Sequence, residues 1–297
     1  MELRVLKYFL ATAREGTITG AANYLHLTQP TLSRQLKDLE NELGQELFIR
    51  SNHNISLTPE GMLLRKRAEE ILDMVEKTER ELASANDIIE GEIYLGCGET
   101  DVLRDIADVI AEIREQYPGI IFHMSSGTLE EVTEKLDKGL LDFGVVMNPS
   151  DSSKYNSITL PKKDLWGIVT RKDNPLAQKE ELTFDDLENI PLILARKVFR
   201  NYSQNNEFFN WFNAKKDKLN IAATHTLFYN AATMVQQGVG SVLTLNNLAN
   251  TNKSSDLCFI PLSPRIESGW DVVWKRYQMF SPAAKLFLEK VQEKLEN

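Results

Sequence analysis

Residues 17–37 read TITGAANYLHLTQPTLSRQLK and decide the fold of the N-terminal region. Ala21 and Ala22 are small enough for a second helix to cross closely, and they predict a first helix here. A second helix is predicted to begin after Thr28, because Thr28 is a favourable N-cap and Pro30 falls in the first turn, where its missing N–H costs little. The stretch therefore predicts a helix-turn-helix.

The second predicted helix has two chemically different faces. Leu32, Leu36 and Leu39 recur at helical spacing and predict a buried face. The other face carries groups that can donate to phosphates and base edges, and its candidate DNA-binding residues are Thr28, Gln29, Pro30, Thr31, Ser33, Arg34 and Lys37. Paired amphipathic helices also occur in proteins that never bind nucleic acid, so the charge distribution has to be weighed as well.

The charge of the chain is acidic overall but locally segregated. The net charge is −9, and residues 1–60 hold six Lys and Arg against seven Asp and Glu. A uniformly basic surface is thus excluded. Asp and Glu are nevertheless absent from residues 16–37 and again from 47–59. Because binding depends on the surface that meets the phosphates, this segregation favours a DNA-binding helix-turn-helix, assisted by dimerisation.

A wing is predicted directly after the second helix. Residues 46–58, ELFIRSNHNISLT, contain two short β-prone runs around a polar turn. Arg50 and His53 lie in this segment, and we expect them to reach the DNA backbone or the minor groove. A surface arginine can also be merely solvated, and that alternative stays open. The predicted winged helix-turn-helix domain covers residues 1–58.

A long linker helix is predicted over residues 59–89, opened by Thr58 as N-cap and Pro59 as the first helical residue. Its apolar or small positions alternate in steps of four and three residues, the spacing of a heptad seam. These positions are Leu64, Ala68, Ile71, Val75, Thr78, Leu82, Ala85 and Ile89. We interpret the seam as a dimerisation surface, with packing against the same chain as the alternative.

Residues 90–297 alternate between strand and helix patterns and predict an α/β effector domain. EIYLGCG, IIFHMSS and LDFGVVM, separated by helical stretches, indicate a parallel βαβαβ unit, and a second such set follows. Two lobes are predicted, lobe 1 at about 90–160 and 268–297 and lobe 2 at about 161–267. Chain crossings near 148–163 and 262–269 would join them, as in periplasmic binding proteins.

Ligands of open parallel sheets bind beyond the carboxyl ends of the strands, so the turns between strands and helices are the candidate effector site. The candidate residues are Gly98, Glu99, Thr100, Ser126, Gly127 and Thr128 in lobe 1, with Arg196, Phe199, Tyr202 and Thr224 in lobe 2. Thr100 and Thr128 have helix capping as an alternative role. Glu99 and Asp101 would repel a simple carboxylate, so we expect a cationic, zwitterionic or neutral effector.

Other functional classes find little support in the sequence. The two cysteines, Cys97 and Cys258, form no CxxC or Cys/His cluster, so no metal site is predicted. GxSxG, HExxH and phosphate-loop motifs are absent, and neither a cofactor nor an enzymatic activity is expected. Without a signal-peptide pattern or an apolar stretch of membrane-spanning length, a cytoplasmic location is predicted. A small-molecule (solute) binding protein without a DNA-directed role is the alternative.

These motifs together resemble the LysR-type transcriptional regulators. The resemblance is densest from YFLATAREGTITGAANYLHLTQPTLSRQLK through ELFIR and LTPEG, and looser in LDFGVV, NPLA and VQQGVGSVLTL. It implies that Gln29, Pro30, Thr31, Ser33 and Arg34 meet the major groove and that Arg50 belongs to the wing. It also implies homodimers and homotetramers, and a small-molecule effector that alters DNA bending and transcription.

The predicted partners follow from this organisation. Dimer symmetry predicts double-stranded DNA with an inverted-repeat operator, and RNA polymerase is a further candidate partner; no membrane partner is expected. Two residues depart from the family pattern. His53 stands in the wing where an arginine is frequent, and Glu99 replaces the usual Ser or Thr at the first pocket turn.

Overall fold

The computed structural model describes residues 1–50, 54–83, 90–147, 153–188, 190–199, 207–213 and 216–296, with only the backbone given at a few helix and strand ends. The chain divides into two compact units, Met1–Ala85 and Asn86–Asn297. No helix in these ranges is both long and apolar enough to cross a membrane. Each unit is treated separately below.

The first unit is built around three short helices. They are α1 (Leu3–Glu15), α2 (Ile18–Tyr24) and α3 (Gln29–Leu43). Leu6, Phe9 and Ala21 are almost completely buried together with Leu32 and Leu36, which forms the expected apolar centre. Leu3, the first residue of α1, is 44% exposed.

A two-stranded wing follows α3, as the sequence predicts. Strand β1 (Phe48–Arg50) pairs antiparallel with β2 (Ile55–Leu57). The carboxylate of Glu40 on α3 accepts hydrogen bonds from the backbone N–H groups of Leu47 (2.9 Å) and Phe48 (3.2 Å). This acidic residue of α3 therefore fixes where the wing starts, a structural role that the sequence analysis did not assign.

The long helix α4 (Pro59–Ala83) begins with the expected cap, since the Thr58 hydroxyl oxygen accepts from the N–H of Gly61 at 2.9 Å. Gly61 is required here because a Cβ would lie only 2.1 Å from the carbonyl oxygen of Leu47. The predicted seam needs correction: Leu64, Ala68 and Ile71 pack into the apolar centre of the first unit, so this part already has its partner within the chain. Leu82, Ala85 and Ile89 lie outside the described side chains.

The second unit alternates strands and helices as expected. The strands are β3 (Gly91–Cys97), β4 (Ile120–Ser126), β5 (Phe143–Met147), β6 (Tyr155–Arg171), β7 (Pro191–Ala195), β8 (Asn220–His225), β9 (Ser241–Leu245), β10 (Leu257–Pro261) and β11 (Glu267–Lys275). The helices are α5 (Leu103–Gln116), α6 (Leu129–Asp137), α7 (Phe184–Leu187), α8 (Arg196–Phe199), α9 (Glu207–Asn213), α10 (Phe228–Gln236) and α11 (Pro282–Glu296).

One sheet path runs through this unit in the order β4-β3-β5-β11-β6-β9-β7-β8, and β10 pairs with β6. Each end is a parallel trio, β4-β3-β5 in lobe 1 and β9-β7-β8 in lobe 2, so the mixed α/β prediction is confirmed. Over its described part, the crossing expected near residues 148–163 is mostly β-strand. Tyr155 begins the 17-residue strand β6, which pairs antiparallel with β11. Because β6 also pairs with β9, the two strands connect the parallel trio of lobe 1 to that of lobe 2 by backbone hydrogen bonds.

The apolar interior of the second unit extends through both lobes. Phe143 and Phe287 are fully buried in lobe 1. On the lobe 2 side, Trp166 stacks on Phe208 with ring centroids 3.5 Å apart, and Phe212 lies beside them. The aromatic residues of α9 therefore belong to the core, where they support the strands that carry the cleft.

Candidate nucleic-acid interface and interlobe cleft

The N-terminal half of α3 presents the polar face that the sequence predicts. Thr28, Gln29, Pro30, Thr31, Arg34 and Lys37 are exposed, and Ser33 is partly exposed. The opposite residues Leu32, Leu36 and Leu39 are buried, with exposed fractions of 0, 1 and 2%. The helix is thus held by its apolar side while donors line the other side. The Thr28 hydroxyl contacts the Thr31 hydroxyl at 2.8 Å rather than capping the backbone.

The turn that orients α3 contains a backbone conformation that favours glycine. His26 has φ 55°. The N–H of the next residue, Leu27, donates to the carbonyl of Ala22 at 2.8 Å and closes the C-terminus of α2. A non-glycine residue in the left-handed region costs about 1–2 kcal/mol. Ala21 and Ala22, the residues of α2 that precede this turn, are buried.

Arg34 on this face forms an exposed ion pair with Asp38. Its guanidinium Nε lies 3.9 Å from the Asp38 carboxylate, and both side chains are largely solvent-exposed. Such a pair contributes roughly 0–1 kcal/mol, so a phosphate or a base edge can replace Asp38.

The two candidate DNA-binding residues of the wing are only partly described. Arg50 ends β1 with only its backbone described, and His53 lies outside the described residues.

A cavity of about 510 Å³ lies between the two lobes of the second unit. Lobe 1 contributes Glu99 from the turn after β3, Ser126 from the end of β4, and Gly127 and Thr128 from the turn that follows. Lobe 2 contributes Arg196, with His225, Thr226 and Phe228 from the turn after β8 and the start of α10. Its volume lies within the range usual for small-molecule sites.

The predicted effector residues are distributed unevenly around this cavity. Glu99, Ser126, Gly127, Thr128 and Arg196 line it, whereas Thr224 is not among its lining residues and the following His225 and Thr226 are. Gly98 and Thr100 line a second cavity of about 750 Å³, to which α10 and the segment after β9 also contribute. The side chain of Phe199 and all of Tyr202 fall outside what the structure describes.

Thr128 has the capping role that was weighed against ligand binding. Its hydroxyl accepts from the N–H of Glu131 at 3.3 Å, and the Glu131 carboxylate accepts from the N–H of Thr128 at 2.7 Å. This reciprocal capping box opens α6. Glu130 and Glu134 from the same helix also line the cavity, so its lobe 1 wall is acidic.

Thr100 is tied to the strands that join the lobes. Its hydroxyl donates to the Asp164 carboxylate on β6, and the same carboxylate oxygen accepts from the indole N–H of Trp270 on β11 at 2.8 Å. Asp164 is only 2% exposed. Burial raises the pKa of Asp164, although both hydrogen bonds oppose that rise. Sequence reasoning missed Asp164, which follows two exposed lysines just beyond the predicted chain crossing.

Glu99 contacts lobe 2 directly. Both of its carboxylate oxygens accept from the backbone N–H of Phe228, the first residue of α10, at 3.0 and 3.1 Å. From the same turn, the Asp101 carboxylate accepts from the side-chain amide of Asn247 at 3.3 Å. The turn over residues 98–101 thus contacts lobe 2 at two points and the joining strand β6 through Thr100.

A helix-turn-helix with an exposed polar helix and a separate two-lobed α/β domain with an interlobe cavity defines the class of DNA-binding regulators that carry a ligand-binding domain. Residues 3–62 match the family described as "Bacterial regulatory helix-turn-helix protein, lysR family", and residues 87–296 match "LysR substrate binding domain". The chain belongs to the LysR family of DNA-binding transcriptional regulators, and the expectation from its N-terminal motif is confirmed.

Similar proteins agree with this assignment over the whole chain. The transcriptional regulator YvbU of Bacillus subtilis is 27% identical over 99% of this chain and 98% of its own length. The Hca operon transcriptional activator HcaR of Escherichia coli is 28% identical, with coverages of 99% and 98%. The crystal structure of full-length CbnR complexed with its target DNA has the same fold, with a TM-score of 0.76, 22% identity and coverages of 99% and 100%.

Proposed function

We propose that the exposed half of α3 reads an inverted-repeat operator in the major groove while the wing contacts the adjacent backbone. The observation that carries this proposal is the separation of faces on α3. Three leucines anchor the helix, and six polar residues and Pro30 remain available to the duplex. Hydrogen bonds from such side chains reach both phosphates and base edges.

The active form is proposed to be a homodimer or a homotetramer that acts in the cytoplasm as a regulator rather than as an enzyme. Residues 1–60 hold one more acidic residue than basic residues, so a single winged helix-turn-helix domain has little electrostatic affinity for DNA. Two reading domains joined in one oligomer compensate, and their symmetry requires half-sites separated by whole helical turns. Met62 and Leu63, 63% and 60% exposed on α4, offer apolar surface for a partner helix.

The test is a mobility-shift titration of Arg34→Ala on an operator fragment selected by the wild-type protein from a random-sequence pool. Loss of a phosphate or base contact should weaken binding by about 1–3 kcal/mol, roughly 5- to 150-fold, and change the salt dependence. Arg65→Ala is the matched control, because Arg65 is an exposed arginine in an i,i+4 pair with Glu69 on α4. Equal affinity of Arg34→Ala and the control across a range of salt would overturn the assigned reading face.

The interlobe cavity is proposed to hold the effector. Its acidic wall of Glu99, Glu130 and Glu134 faces Arg196 and the apolar side chains of lobe 2. This charge distribution favours a cationic, zwitterionic or neutral metabolite over a bare monocarboxylate. A thermal-shift screen of metabolites tests the assignment: stabilisation by simple monocarboxylates alone would contradict it.

A further inference from the structure

The N-terminus of α10 lacks a capping side chain from its own segment. The residue at the N-cap position is Leu227, which has no side-chain acceptor. The free N–H groups and the dipole at a helix start favour a negative group. For α10, which spans nine residues, that group is the carboxylate of Glu99, reaching across from lobe 1.

Glu99 also lies at the boundary between two spaces. The cavity of about 510 Å³ and the cavity of about 750 Å³ are both lined by Glu99, Ser126, Phe228 and Leu248. The contact between Glu99 and Phe228 therefore divides the space between the lobes. The residues on either side of Glu99 are also held in place, because Gly98 packs against the Trp270 ring and the Thr100 hydroxyl donates a hydrogen bond to the Asp164 carboxylate.

We propose that Glu99 is an interlobe latch and the specificity-determining residue of the effector cleft. Its carboxylate fills the anion-binding end of α10, holds lobe 1 against lobe 2 and excludes carboxylate ligands from that position. This inference rests on the proposed role of the cavity as the effector site and adds the residue that sets the charge class of its ligand. An effector with a cationic group pairs with Glu99, whereas an anionic one has to displace it.

Chemical rescue tests the latch in the full-length protein. Glu99→Ala removes a CH2–COO⁻ group, and acetate is the free counterpart of that group. The variant should lose about 2–4 °C in the melting temperature of the second unit, the shift expected for one missing helix cap in a domain of this size. Acetate at about 100 mM should restore much of that loss by binding the native state, and sodium chloride at equal ionic strength should not.

The matched control is Glu130→Ala, which removes an acid from the wall of the same cavity without a defined hydrogen bond to α10. Acetate should leave both this control and the wild-type protein unchanged, because Glu99 already occupies the position. Glu99→Gln preserves side-chain volume and one acceptor oxygen, so it should melt between Glu99→Ala and the wild type without responding to acetate.

Three results would overturn the proposal. The first is no acetate response in Glu99→Ala, and the second is an equal response in all variants. The third is a Glu99→Gln variant as stable as the wild type, which also decides the matter should Glu99→Ala fail to fold. None of these measurements involves an effector, so a failure of the latch is separable from a failure of the cavity as the effector site, which the metabolite screen reports.

Discussion

Replacing Glu40 by alanine should loosen the wing and destabilise the first unit. Two backbone N–H groups, those of Leu47 and Phe48, lose a shared carboxylate acceptor. Both residues are almost buried, at 2% and 5% exposure, so water replaces the acceptor poorly. Hydrogen bonds to charged groups contribute about 1.5–3 kcal/mol each, and because the two share one oxygen we expect a total loss of about 2–4 kcal/mol.

The positions of the tryptophans permit a domain-resolved assay. All four lie in the second unit, at positions 166, 211, 270 and 274, so their fluorescence follows that unit, whereas far-ultraviolet circular dichroism follows both. Glu40→Ala should lower the melting temperature of the first unit by about 8–32 °C, at about 4–8 °C per kcal/mol for a domain of this size, and leave the tryptophan transition in place. Glu46→Ala removes an exposed acid from the same connection and is the control. Indistinguishable melting of the two variants would refute the assigned role of Glu40.

Two further predictions concern other polar sites. The pKa of Asp164 is raised in the folded state, so folding becomes less favourable as this carboxyl group loses its proton. The free energy of unfolding of the wild type, relative to that of Asp164→Asn, should therefore fall as the pH rises from about 4 toward neutrality. Urea unfolding measures both proteins across this pH range, and an unchanged difference between them would contradict the prediction. His26→Gly should relieve the left-handed backbone and stabilise the first unit by about 0.5–1 kcal/mol, whereas His26→Val should destabilise it. A glycine variant that melts below the valine variant would be inconsistent with that strain.

Helix α3 was predictable because the sequence features that define it are local. Thr28, Pro30 and the three leucines of α3 lie within one short segment, and each constrains the same helix. The parallel trios of strands followed for the same reason, since buried strands alternate with capped helices. Heptad spacing alone left open whether the seam of α4 packs against a partner helix or against its own chain, and Ala68 is fully buried within its own unit.

The candidate cleft was only partly predictable, since its geometry depends on contacts between distant residues. Sequence position placed Glu99 and Thr128 at strand ends, and both line the cavity. The partner of Glu99 is a backbone N–H 129 positions away, which no local pattern encodes. Likewise, no local pattern marks Asp164 as buried, because its burial arises only when β6 and β11 pair and Trp270 donates to it.

Lysine labelling of the full-length protein, with and without selected operator DNA, tests the central claim directly. Lys37 projects from the exposed face of α3, and Lys253 is exposed in the second unit, so both should be acetylated readily in the free protein. If α3 lies in the major groove, operator DNA should reduce labelling at Lys37 several-fold and leave Lys253 unchanged. Undiminished labelling of Lys37 in a fully DNA-bound sample would contradict the account.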